Sequence, residues 1–599
     1  MADYKAPLRD IDFVMNKLLG FPAHYAALPG NEELSQEVVS AVLEESAKFS
    51  ENVLAPMYRV GDIEGCQWDD GNVSTPTGFK EAYQQYVKAG WPSMTHSSEF
   101  GGQDLPNSLG IVTCELIGTG NFAWGAYPVL STGAMNTIKA HGTDEQKSAF
   151  LPNLVSGNWT GTMCLTEPHC GTDLGLLRTK AAPNSDGSYS VSGTKIFITG
   201  GDHDMADNIV HIVLARIEGA PAGTKGISLF VVPKFNVDAE GNIIDRNAVN
   251  CGSIEHKMGI HGSSTCVMNF DSAKGFLIGQ ENKGLSAMFT FMNEARIVTA
   301  SQGYCHAELG FQKSLEYTRE RLQMRSLSGP KNPTGPADPI IVHPDVRRML
   351  MSQKVFSEGG RMLVYYCAQL VDLTLAAATE EERKNADNLL TFLTPIAKAF
   401  ITETGFESAN MAIQCFGGHG FISEWGVEQN LRDCRISTLY EGTTGIQALD
   451  LLGRKVLGSG GKMLQSFTKI IHSYCLEHQD NVAMQEFIKP LVDLNKEWGE
   501  ITMSVGAKAM ENPDEVGGSS VDYLMYSGYV TYAYFWARAA ETALKILDTD
   551  SADEDFCKSK VAAARFYFQR ILPRTRTHVV TMQSGVESLM ALNADQFAF

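Results

Sequence analysis

Apolar residues at helical spacing dominate the first part of the chain. Residues 33–49 place an apolar side chain at every third or fourth position, and residues 109–118 are largely apolar. A helix that buries one face against a core shows this spacing. The pattern predicts an N-terminal helical domain over residues 1–160.

The spacing changes after residue 160. Short segments rich in Val, Ile and Phe are separated by Gly, Pro and Asn-Asp breaks, which is typical of strands joined by turns. The predicted strands are residues 189–199, 208–217, 226–235 and 266–270. They predict a middle β-domain over residues 161–279.

Helical spacing returns after the β-domain. Residues 288–320 and 343–375 are long periodic segments. The prolines of residues 329–336 predict a loop between them, because a continuous helix cannot hold three prolines so close together. We predict a helical-bundle domain over residues 280–457.

A glycine-rich linker, Gly458-Ser459-Gly460-Gly461, precedes an appended helical domain over residues 462–599. Near its end, arginines alternate with apolar residues in a pattern that fits an amphipathic helix lying on a partner subunit. An anionic membrane is the alternative surface for this helix. The residues are Arg565, Arg570, Arg574 and Arg576 with Phe566, Phe568, Ile571 and Leu572.

Composition excludes several classes of function. The formal net charge is −20, whereas a nucleic-acid partner needs a basic face. Twelve cysteines are scattered without a Cys-x-x-Cys pair, so no metal site is predicted and reduced thiols are expected.

Residues 1–20 lack the apolar run of a signal peptide, and no window approaches a membrane span. We expect a cytoplasmic protein and do not expect membrane contact.

One carboxylate stands beside a glycine and two threonines in the segment Tyr440-Glu441-Gly442-Thr443-Thr444. A base that removes a proton next to a thioester carbonyl needs an acid shielded from water and main-chain groups near the carbonyl oxygen. Gly442 would allow a ligand to approach the main chain closely. The same pattern fits a helix N-terminus with Thr443 or Thr444 as the cap. Spacing alone leaves both interpretations open.

Four blocks of sequence occur in a characteristic order. They are residues 165–173, 195–200, 414–421 and the segment around Glu441, which continues to Ile446-Gln447. Together they resemble the acyl-CoA dehydrogenase family. The resemblance implies a mainly α fold with a central β-domain: an N-terminal helical domain, a middle β-barrel-like domain and a C-terminal four-helix bundle.

The resemblance also implies a reaction and its residues. Glu441 would take the α-proton of an acyl-CoA while a hydride passes to N5 of FAD, and the product would be a trans-2-enoyl-CoA. The implied cofactor contacts are Leu165, Thr166, Thr172, Phe197, Thr199, Arg321, Gln414, Gly418 and Thr443. The implied substrate contacts are Thr172, Arg296, Tyr440 and Gly442.

Arg321, Gln414 and Gly418 resemble residues that reach the flavin of a neighbouring subunit in this family. The resemblance therefore implies a homodimer or a dimer of dimers. Electron-transfer flavoprotein is the expected electron acceptor. An acyl-CoA oxidase and a non-catalytic assembly partner of the same fold are the alternatives.

Some relatives carry the base on the helix that here contains residues 292–296. The position they use corresponds to Ala295, which has no carboxylate. Its neighbour Glu294 would point about 100° away on a helix, and we expect it to be a solvated surface acid. Glu441 is then the candidate base.

The start and length of the chain resemble the subgroup that includes 3-methylmercaptopropionyl-CoA dehydrogenases and several fatty acyl-CoA enzymes. Small residues on the helix expected to floor the acyl pocket predict a straight acyl chain of medium or greater length. Close helix packing uses the same small residues, and a short sulfur-containing acyl group is the alternative substrate. The residues concerned are Gly118, Gly120, Ala123 and Gly125, with Trp124 and Tyr127 as bulky neighbours that could block the pocket.

Overall fold

A computed structural model describes residues 4–549 and 553–598. The chain forms two compact units in this range. The bundle unit contains Pro7–Val38 and residues 299–598, and the barrel unit contains residues 4–6 and Val39–Val298. Residues on both sides of the glycine-rich linker therefore belong to the same unit. The inclusion of Pro7–Val38 in that unit was not predicted.

The first part of the chain is helical, as predicted, apart from one hairpin. The hairpin joins β1 (Gln67–Asp69) to β2 (Asn72–Ser74). The helices are α1 (Leu8–Asp12), α2 (Phe21–Ala26), α3 (Gln36–Phe49), α4 (Ala55–Glu64), α5 (Phe79–Lys88), α6 (Asn107–His141) and α7 (Asp144–Val155).

Helix α6 is kinked at Asn121, whose backbone is not helical (φ −162°, ψ 93°). The Asn121 side chain accepts a hydrogen bond from the backbone N–H of Trp124 at 3.2 Å. A short polar side chain that caps the next turn in this way competes with the helical main-chain bond. The kink therefore follows from Asn121 and divides α6 at the small-residue segment.

The middle of the chain contains the strands. They are β3 (Trp159–Cys164), β4 (Lys180–Pro183), β5 (Tyr189–Thr199), β6 (Asn208–Ile217), β7 (Ser228–Pro233), β8 (Phe235–Val237), β9 (Ile243–Arg246), β10 (Val249–Ile254) and β11 (Thr265–Ile278). Strands β11, β5, β4, β6 and β7 pair in that order, and β7 pairs back to β11. This closes a five-stranded barrel, to which β3 and β10 add at the edges and β8–β9 form a separate hairpin. The predicted barrel-like domain is confirmed.

The remaining helices follow the barrel. They are α8 (Gly284–Glu320), α9 (Pro344–Ala376), α10 (Glu380–Phe416), α11 (Val427–Arg435), α12 (Thr444–Leu449), α13 (Lys462–Glu477), α14 (Gln485–Glu511), α15 (Asp514–Leu547), α16 (Glu554–Phe566), α17 (Thr575–Ser584) and α18 (Glu587–Met590). None of the helices in the described residues is long and apolar enough to span a membrane.

Two glycines allow α8 and α10 to touch through their backbones. A Cβ atom on Gly405 would lie 2.2 Å from the carbonyl oxygen of Gly303, and one on Gly303 would lie 2.4 Å from that of Ile401. Any side chain at either position would force the helices apart. The bundle therefore holds its long helices at a separation that only glycine permits.

The arginine-rich segment near the end packs within its own unit, so the prediction that its apolar face covers a partner or a membrane is wrong. Phe568, Ile571 and Leu572 are buried. Arg574 forms two hydrogen bonds to the Glu407 carboxylate, both at 2.8 Å, and Arg565 pairs with Glu486. The acidic partners lie far away in the sequence, so they could not be matched to the arginines in advance.

A buried cluster of charges joins α1, α8, α9 and α16. Lys560 contacts the carboxylates of Asp10 and Glu358, the latter at 2.7 Å. Arg361, which is fully buried, contacts Asp10 and lies 3.4 Å from Glu308. Burial alone would raise the pKa of Asp10, but the charges of Lys560 and Arg361 lower it to about 2. The N-terminal segment and α16 are therefore tied to the bundle by ion pairs.

We predict that Lys560→Met lowers the free energy of unfolding by about 3–5 kcal/mol, because it leaves buried carboxylates without their cation. Lys558→Met is the matched control, since Lys558 forms an exposed pair with Glu554 on the same helix; it should change stability by less than about 1 kcal/mol. Urea unfolding at pH 7 measures both. Equal effects of the two substitutions would contradict the prediction.

The contact between Lys560 and Asp10 also predicts that the free energy of unfolding depends on pH. The pKa of Asp10 lies below its ordinary value of 3.8, so the stability that its charge contributes is present above pH 4 and is lost as the pH falls towards about 2. The stability difference between the wild type and Lys560→Met should therefore shrink over this interval. A difference that stays constant from pH 6 to 2.5 would show that the ionised Asp10 is not its source.

Candidate active site

The loop that contains Glu441 has an unusual backbone. It connects a 3₁₀ turn (Ile436–Thr438) to α12, and both Glu441 (φ 56°) and Gly442 (φ 94°) are in the left-handed region. This conformation is uncommon for a residue with a side chain, and such residues concentrate at functional sites. Glu441 itself is half-buried. The structure thus places the predicted base at a constrained position.

Hydrogen bonds to side chains hold this loop in place. Gln447 Nε2 donates to the carbonyl oxygen of Glu441 at 2.9 Å, and Lys398 Nζ donates to that of Gly442 at 2.6 Å. The Tyr440 hydroxyl donates to Gln302 Oε1 at 2.5 Å. The predicted substrate residues Tyr440 and Gly442 are therefore fixed in the same loop as Glu441.

Thr443 caps α12, because its hydroxyl oxygen accepts the backbone N–H of Ile446 at 3.3 Å. The helix-cap interpretation of this segment is correct for Thr443. It does not exclude the catalytic interpretation, since the glutamate precedes the cap and lies outside the helix. A threonine hydroxyl can also donate while it accepts.

A second group of predicted residues lies at one edge of the barrel. The fully buried Lys195 on β5 donates to the carbonyl oxygen of Leu165 and to Glu167 Oε1, both at 2.9 Å. The backbone N–H of Ile196 donates to the carbonyl oxygen of Thr166 at 2.9 Å. These contacts fasten the loop that starts at Leu165 to strand β5.

Glu167 is the acidic partner at the centre of this loop. Its carboxylate also accepts hydrogen bonds from the backbone N–H groups of Arg178 and Thr179 and from the Thr179 hydroxyl. Burial alone would raise the pKa of Glu167, but the charge of Lys195 and these hydrogen bonds lower it to about 2. Ligand atoms of Glu167, His169 and Cys170 lie within 4.8 Å of one another, yet both oxygens of Glu167 already accept these donors.

A β-bulge turns Phe197 outwards on the same edge. Between Cys266 and Met268 the register of β11 against β5 shifts, so that Ile196 and Phe197 oppose a single residue. Phe197 has φ 60° and its side chain is 59% exposed. Bulges re-aim side chains next to active sites, and this one presents an apolar ring to solvent.

Two of the predicted threonines lie at this edge. Thr166 lies in the loop bonded to Ile196, and Thr199 ends strand β5. A Cβ atom on Gly171 would lie 3.3 Å from Thr166 Cγ2, so the loop folds back on itself at Gly171, the residue before Thr172. An exposed aromatic ring beside hydroxyl groups suits a flat heteroaromatic ring with polar edges. The residues present therefore fit a flavin.

A third group lies on the bundle unit. Arg321, Gln414 and Gly418 are all exposed. The Tyr317 ring, one turn before Arg321, stacks on Phe416 with centroids 4.2 Å apart, and its hydroxyl lies 2.9 Å from His419 Nδ1. The structure therefore brings the end of α8 and the glycine turn after α10 together, with the three predicted residues on the surface.

Two residues with predicted roles lie on α8, and the substrate contact of the first, Arg296, stays a prediction. Arg296 is half-buried on this helix. The expectation that Glu294 is a solvated surface acid is wrong, since Glu294 accepts a hydrogen bond from Asn136 Nδ2 at 2.8 Å. Burial against α6 raises its pKa to about 7, although the bond from Asn136 opposes the rise. Helical spacing indicated the direction of Glu294 but not which neighbour covers it.

Some residues that shape the site had no predicted role. Lys195, Glu167 and Gln447 lie inside the recognised sequence blocks, but only the structure shows what they hold. Lys398 lies outside those blocks. Its signal in the sequence is a single charge within the apolar run Ile396-Ala397-Lys398-Ala399-Phe400, because a lysine that cannot reach solvent needs a buried acceptor.

Comparison with known families agrees with this geometry. The chain matches, in order, the acyl-CoA dehydrogenase N-terminal domain at residues 37–158, the middle domain at 162–273 and the C-terminal domain at 282–457. Residues 463–593 match the acetyl-CoA dehydrogenase C-terminal-like family. The chain belongs to the acyl-CoA dehydrogenase family. It is a flavin-dependent oxidoreductase that acts on CH–CH bonds and uses FAD.

Curated relatives extend over nearly the whole chain. It is 40% identical to a 3-methylmercaptopropionyl-CoA dehydrogenase of Ruegeria pomeroyi, over 95% of this chain and 96% of the relative. It is 34% identical to a butyryl-CoA dehydrogenase of Syntrophomonas wolfei, over 95% of each chain. It is 32% identical to the broad-specificity linear acyl-CoA dehydrogenase FadE5 of Mycobacterium tuberculosis, over 98% of this chain and 99% of the relative.

A solved structure shares the fold. The acyl-CoA dehydrogenase of Bacillus anthracis complexed with FAD superimposes with a TM-score of 0.72 at 21% identity, covering 96% of this chain and 91% of that one. The long form of the fold, with helices beyond the bundle, therefore exists in an experimental structure.

We predict that Lys195→Met lowers the amount of FAD retained per chain, because the loop at Leu165–Thr166 loses its anchor and Glu167 loses its buried cation. Lys180→Met is the matched control, since Lys180 lies exposed on neighbouring strand β4. The measurement is flavin absorbance per chain after gel filtration, together with the rate of protease cleavage in residues 165–178. Unchanged flavin content and cleavage in Lys195→Met would contradict the anchoring role.

Proposed function

We propose that this protein converts an acyl-CoA to its trans-2-enoyl-CoA, with Glu441 as the base that removes the α-proton. The observation that carries the proposal is Glu441 itself: a half-buried carboxylate on a left-handed backbone, followed by Gly442, in a loop held from both sides. A carbon acid needs a base at a fixed distance and orientation. The hydrogen bonds that hold this loop support such a role for Glu441.

The chain contributes positioning as well as the base. In this proposal the backbone N–H of Glu441 donates to the thioester carbonyl, which stabilises the charge that develops there when the α-proton leaves. Gly442 leaves room for the thioester beside the main chain. Thr172, Arg296 and Tyr440 complete the substrate contacts, with Arg296 directed to the phosphates of CoA.

Bound FAD supplies the acceptor for the hydride that leaves the β-carbon. The residues proposed to hold it are Leu165, Thr166, Thr172, Phe197 and Thr199 at the barrel edge, Thr443 beside the base, and Arg321, Gln414 and Gly418 from a partner subunit. The exposure of the last three on the bundle unit supports this assignment. The proposed assembly is a homodimer or a dimer of dimers in the cytoplasm, with electron-transfer flavoprotein as the electron acceptor.

The proposed substrate is a straight-chain acyl-CoA of medium or greater length, used in fatty acid β-oxidation. Its support is that the two bulky neighbours of the pocket helix are held elsewhere: Trp124 Nε1 donates to the carbonyl oxygen of Phe79, and the Tyr127 hydroxyl donates to that of Gly262. One small residue has another explanation, because a Cβ atom on Gly120 would lie 3.1 Å from the carbonyl oxygen of Ser50.

We predict that Glu441→Gln retains the fold and FAD but loses turnover by roughly 10²–10⁴-fold, the usual contribution of a general base. The amide has nearly the same shape and cannot accept the proton. Glu424→Gln, which changes an exposed acid of the bundle unit, should leave kcat unchanged. Steady-state dye reduction with an acyl-CoA measures the rate; more than a tenth of the wild-type rate in Glu441→Gln would refute the assignment.

We predict that kcat/KM rises with acyl length beyond four carbons, by up to fourfold for each methylene, until the pocket ends. The increment corresponds to burial of a methylene at about 0.8 kcal/mol. A panel of straight-chain acyl-CoAs from C4 to C16, with 3-methylmercaptopropionyl-CoA alongside, gives the profile. A maximum at four carbons, or at the sulfur-containing substrate, would overturn the proposed chain length and leave the reaction type intact.

A further inference from the structure

Helix α10 carries one lysine where the helix is otherwise apolar. Ile396, Ala397, Ala399 and Phe400 are buried, and Lys398 between them is fully buried as well. A buried ammonium group is costly unless it is hydrogen-bonded. A leucine or methionine would fill such a position without that cost, so the charge at Lys398 calls for an explanation.

The side chain of Lys398 reaches the loop that contains the base. Its Nζ atom donates to the carbonyl oxygen of Gly442 at 2.6 Å, the residue directly after Glu441. Hydrogen bonds from a charged donor are shorter and stronger than neutral ones. The lysine therefore connects a rigid bundle helix to the main chain beside Glu441.

Gln447 holds the preceding carbonyl in the same manner. It is 1% exposed, and its Nε2 atom donates to the carbonyl oxygen of Glu441 at 2.9 Å. A Cβ atom on Gly442 would lie 2.4 Å from that amide nitrogen, so the amide is packed directly against the loop. Two successive carbonyl groups are thus turned towards protein donors.

The two donors explain how Glu441 keeps a left-handed backbone. Rotation of the main chain at Glu441 back to the right-handed region would swing these carbonyl groups away from Lys398 and Gln447. The buried ammonium and amide would then lose these two hydrogen bonds, and that loss opposes the rotation. The conformation is therefore tied to hydrogen bonds that side chains from α10 and α12 provide.

We propose that Lys398, together with Gln447, is a positioning residue that fixes the carboxylate of Glu441 for proton removal. The proposal rests on the proposed function of Glu441. The lysine touches neither substrate nor cofactor in this role; it acts through the main chain of the loop. Errors of an ångström in the position of a base reduce the rate of proton transfer while substrate binding is largely retained.

A second lysine of the same unit offers a matched comparison. Lys455 Nζ donates to the carbonyl oxygen of Thr391 at 2.6 Å and pairs with Asp450 at 3.0 Å. Thr391 lies on α10, as does Lys398, so each lysine forms a hydrogen bond from its ammonium group to a carbonyl oxygen that connects α10 to another segment. Lys398, in contrast, donates to the loop of Glu441. Lys455→Met therefore removes a comparable lysine hydrogen bond to a main-chain carbonyl, and we expect it to leave the position of Glu441 unchanged.

The experiment compares Lys398→Met and Lys455→Met as FAD-loaded full-length proteins, with kcat, KM, thermal midpoint and flavin content measured for each. We expect Lys398→Met to lower kcat at least tenfold with KM changed less than threefold, and Lys455→Met to keep kcat within twofold. A fall in kcat that is equal in the two variants would overturn the proposal, because a general loss of stability would then account for it.

A second variant tests the same role in case Lys398→Met fails to fold. Gln447→Leu removes the other donor without leaving a buried charge, and we expect the same selective fall in kcat. If Gln447→Leu folds and keeps the wild-type kcat, the positioning role is refuted.

Double substitution separates this proposal from the function on which it rests. In a Glu441→Gln background, Lys398→Met should lower the residual rate less than twofold, because its effect passes through the carboxylate. A further tenfold fall in that background would refute action through Glu441. High activity of Glu441→Gln alone would instead refute the proposed function.

Discussion

Buried cations that donate to buried oxygens determine how the irregular segments of this protein are held. Lys195 ties the loop at Leu165 to the barrel, Lys398 ties the loop of Glu441 to the bundle, and Lys560 with Arg361 ties the N-terminal segment to the bundle and α16. Helices and strands satisfy their own backbone groups, whereas loops do not. A buried ammonium that needs an acceptor holds a loop carbonyl or carboxylate in one orientation, because leaving either group unpaired is costly.

The same constraint connects the fold to the chemistry. The two most unusual backbone positions among the candidate site residues, Phe197 and Glu441, are both left-handed, and each lies next to a segment held by a buried lysine. At Phe197 a β-bulge supplies the change of direction, and at Glu441 two donated hydrogen bonds do so. Local strain at a site persists only where the surroundings determine it. At Glu441 the surroundings include the side chains of Lys398 and Gln447, which are anchored in α10 and α12.

Sequence patterns predicted the positions of helices and strands better than the contacts between residues that are distant in the sequence. Strands Tyr189–Thr199 and Asn208–Ile217 were predicted with the bounds they have, because alternation and turn residues are local signals. Closure of the barrel through β7 and β11 was implied by resemblance alone, because the pairing of two strands depends on segments that are separated in the sequence. Glu294 was predicted to be exposed and is covered by α6, and the arginines near the end pair with Glu407 and Glu486. Each error concerns a contact between residues that are far apart in the sequence and close together in the structure.

The same limit applies to the site. The cap at Thr443 was predicted from adjacent residues, and the structure has it. The assignment of Glu441 as the base came from the family resemblance and stays a prediction. Lys398 lies 44 residues from the carbonyl that it holds, and no local pattern connects them. Gln447, by contrast, lies only six residues from the carbonyl oxygen of Glu441 that it holds. Both hydrogen bonds are needed to describe the loop.

In the proposed reaction, Glu441 removes the α-proton of an acyl-CoA as the flavin is reduced. Anaerobic mixing of the FAD-loaded protein with one equivalent of a straight-chain acyl-CoA tests it most directly, with flavin absorbance and enoyl-CoA followed in a single turnover. We expect the wild type to bleach and to form enoyl-CoA in proportion to the flavin reduced, with a primary isotope effect for substrate deuterated at the α-carbon. We expect Glu441→Gln to bind the same acyl-CoA and to stay oxidised. Bleaching of Glu441→Gln at the wild-type rate would show that Glu441 is not the base.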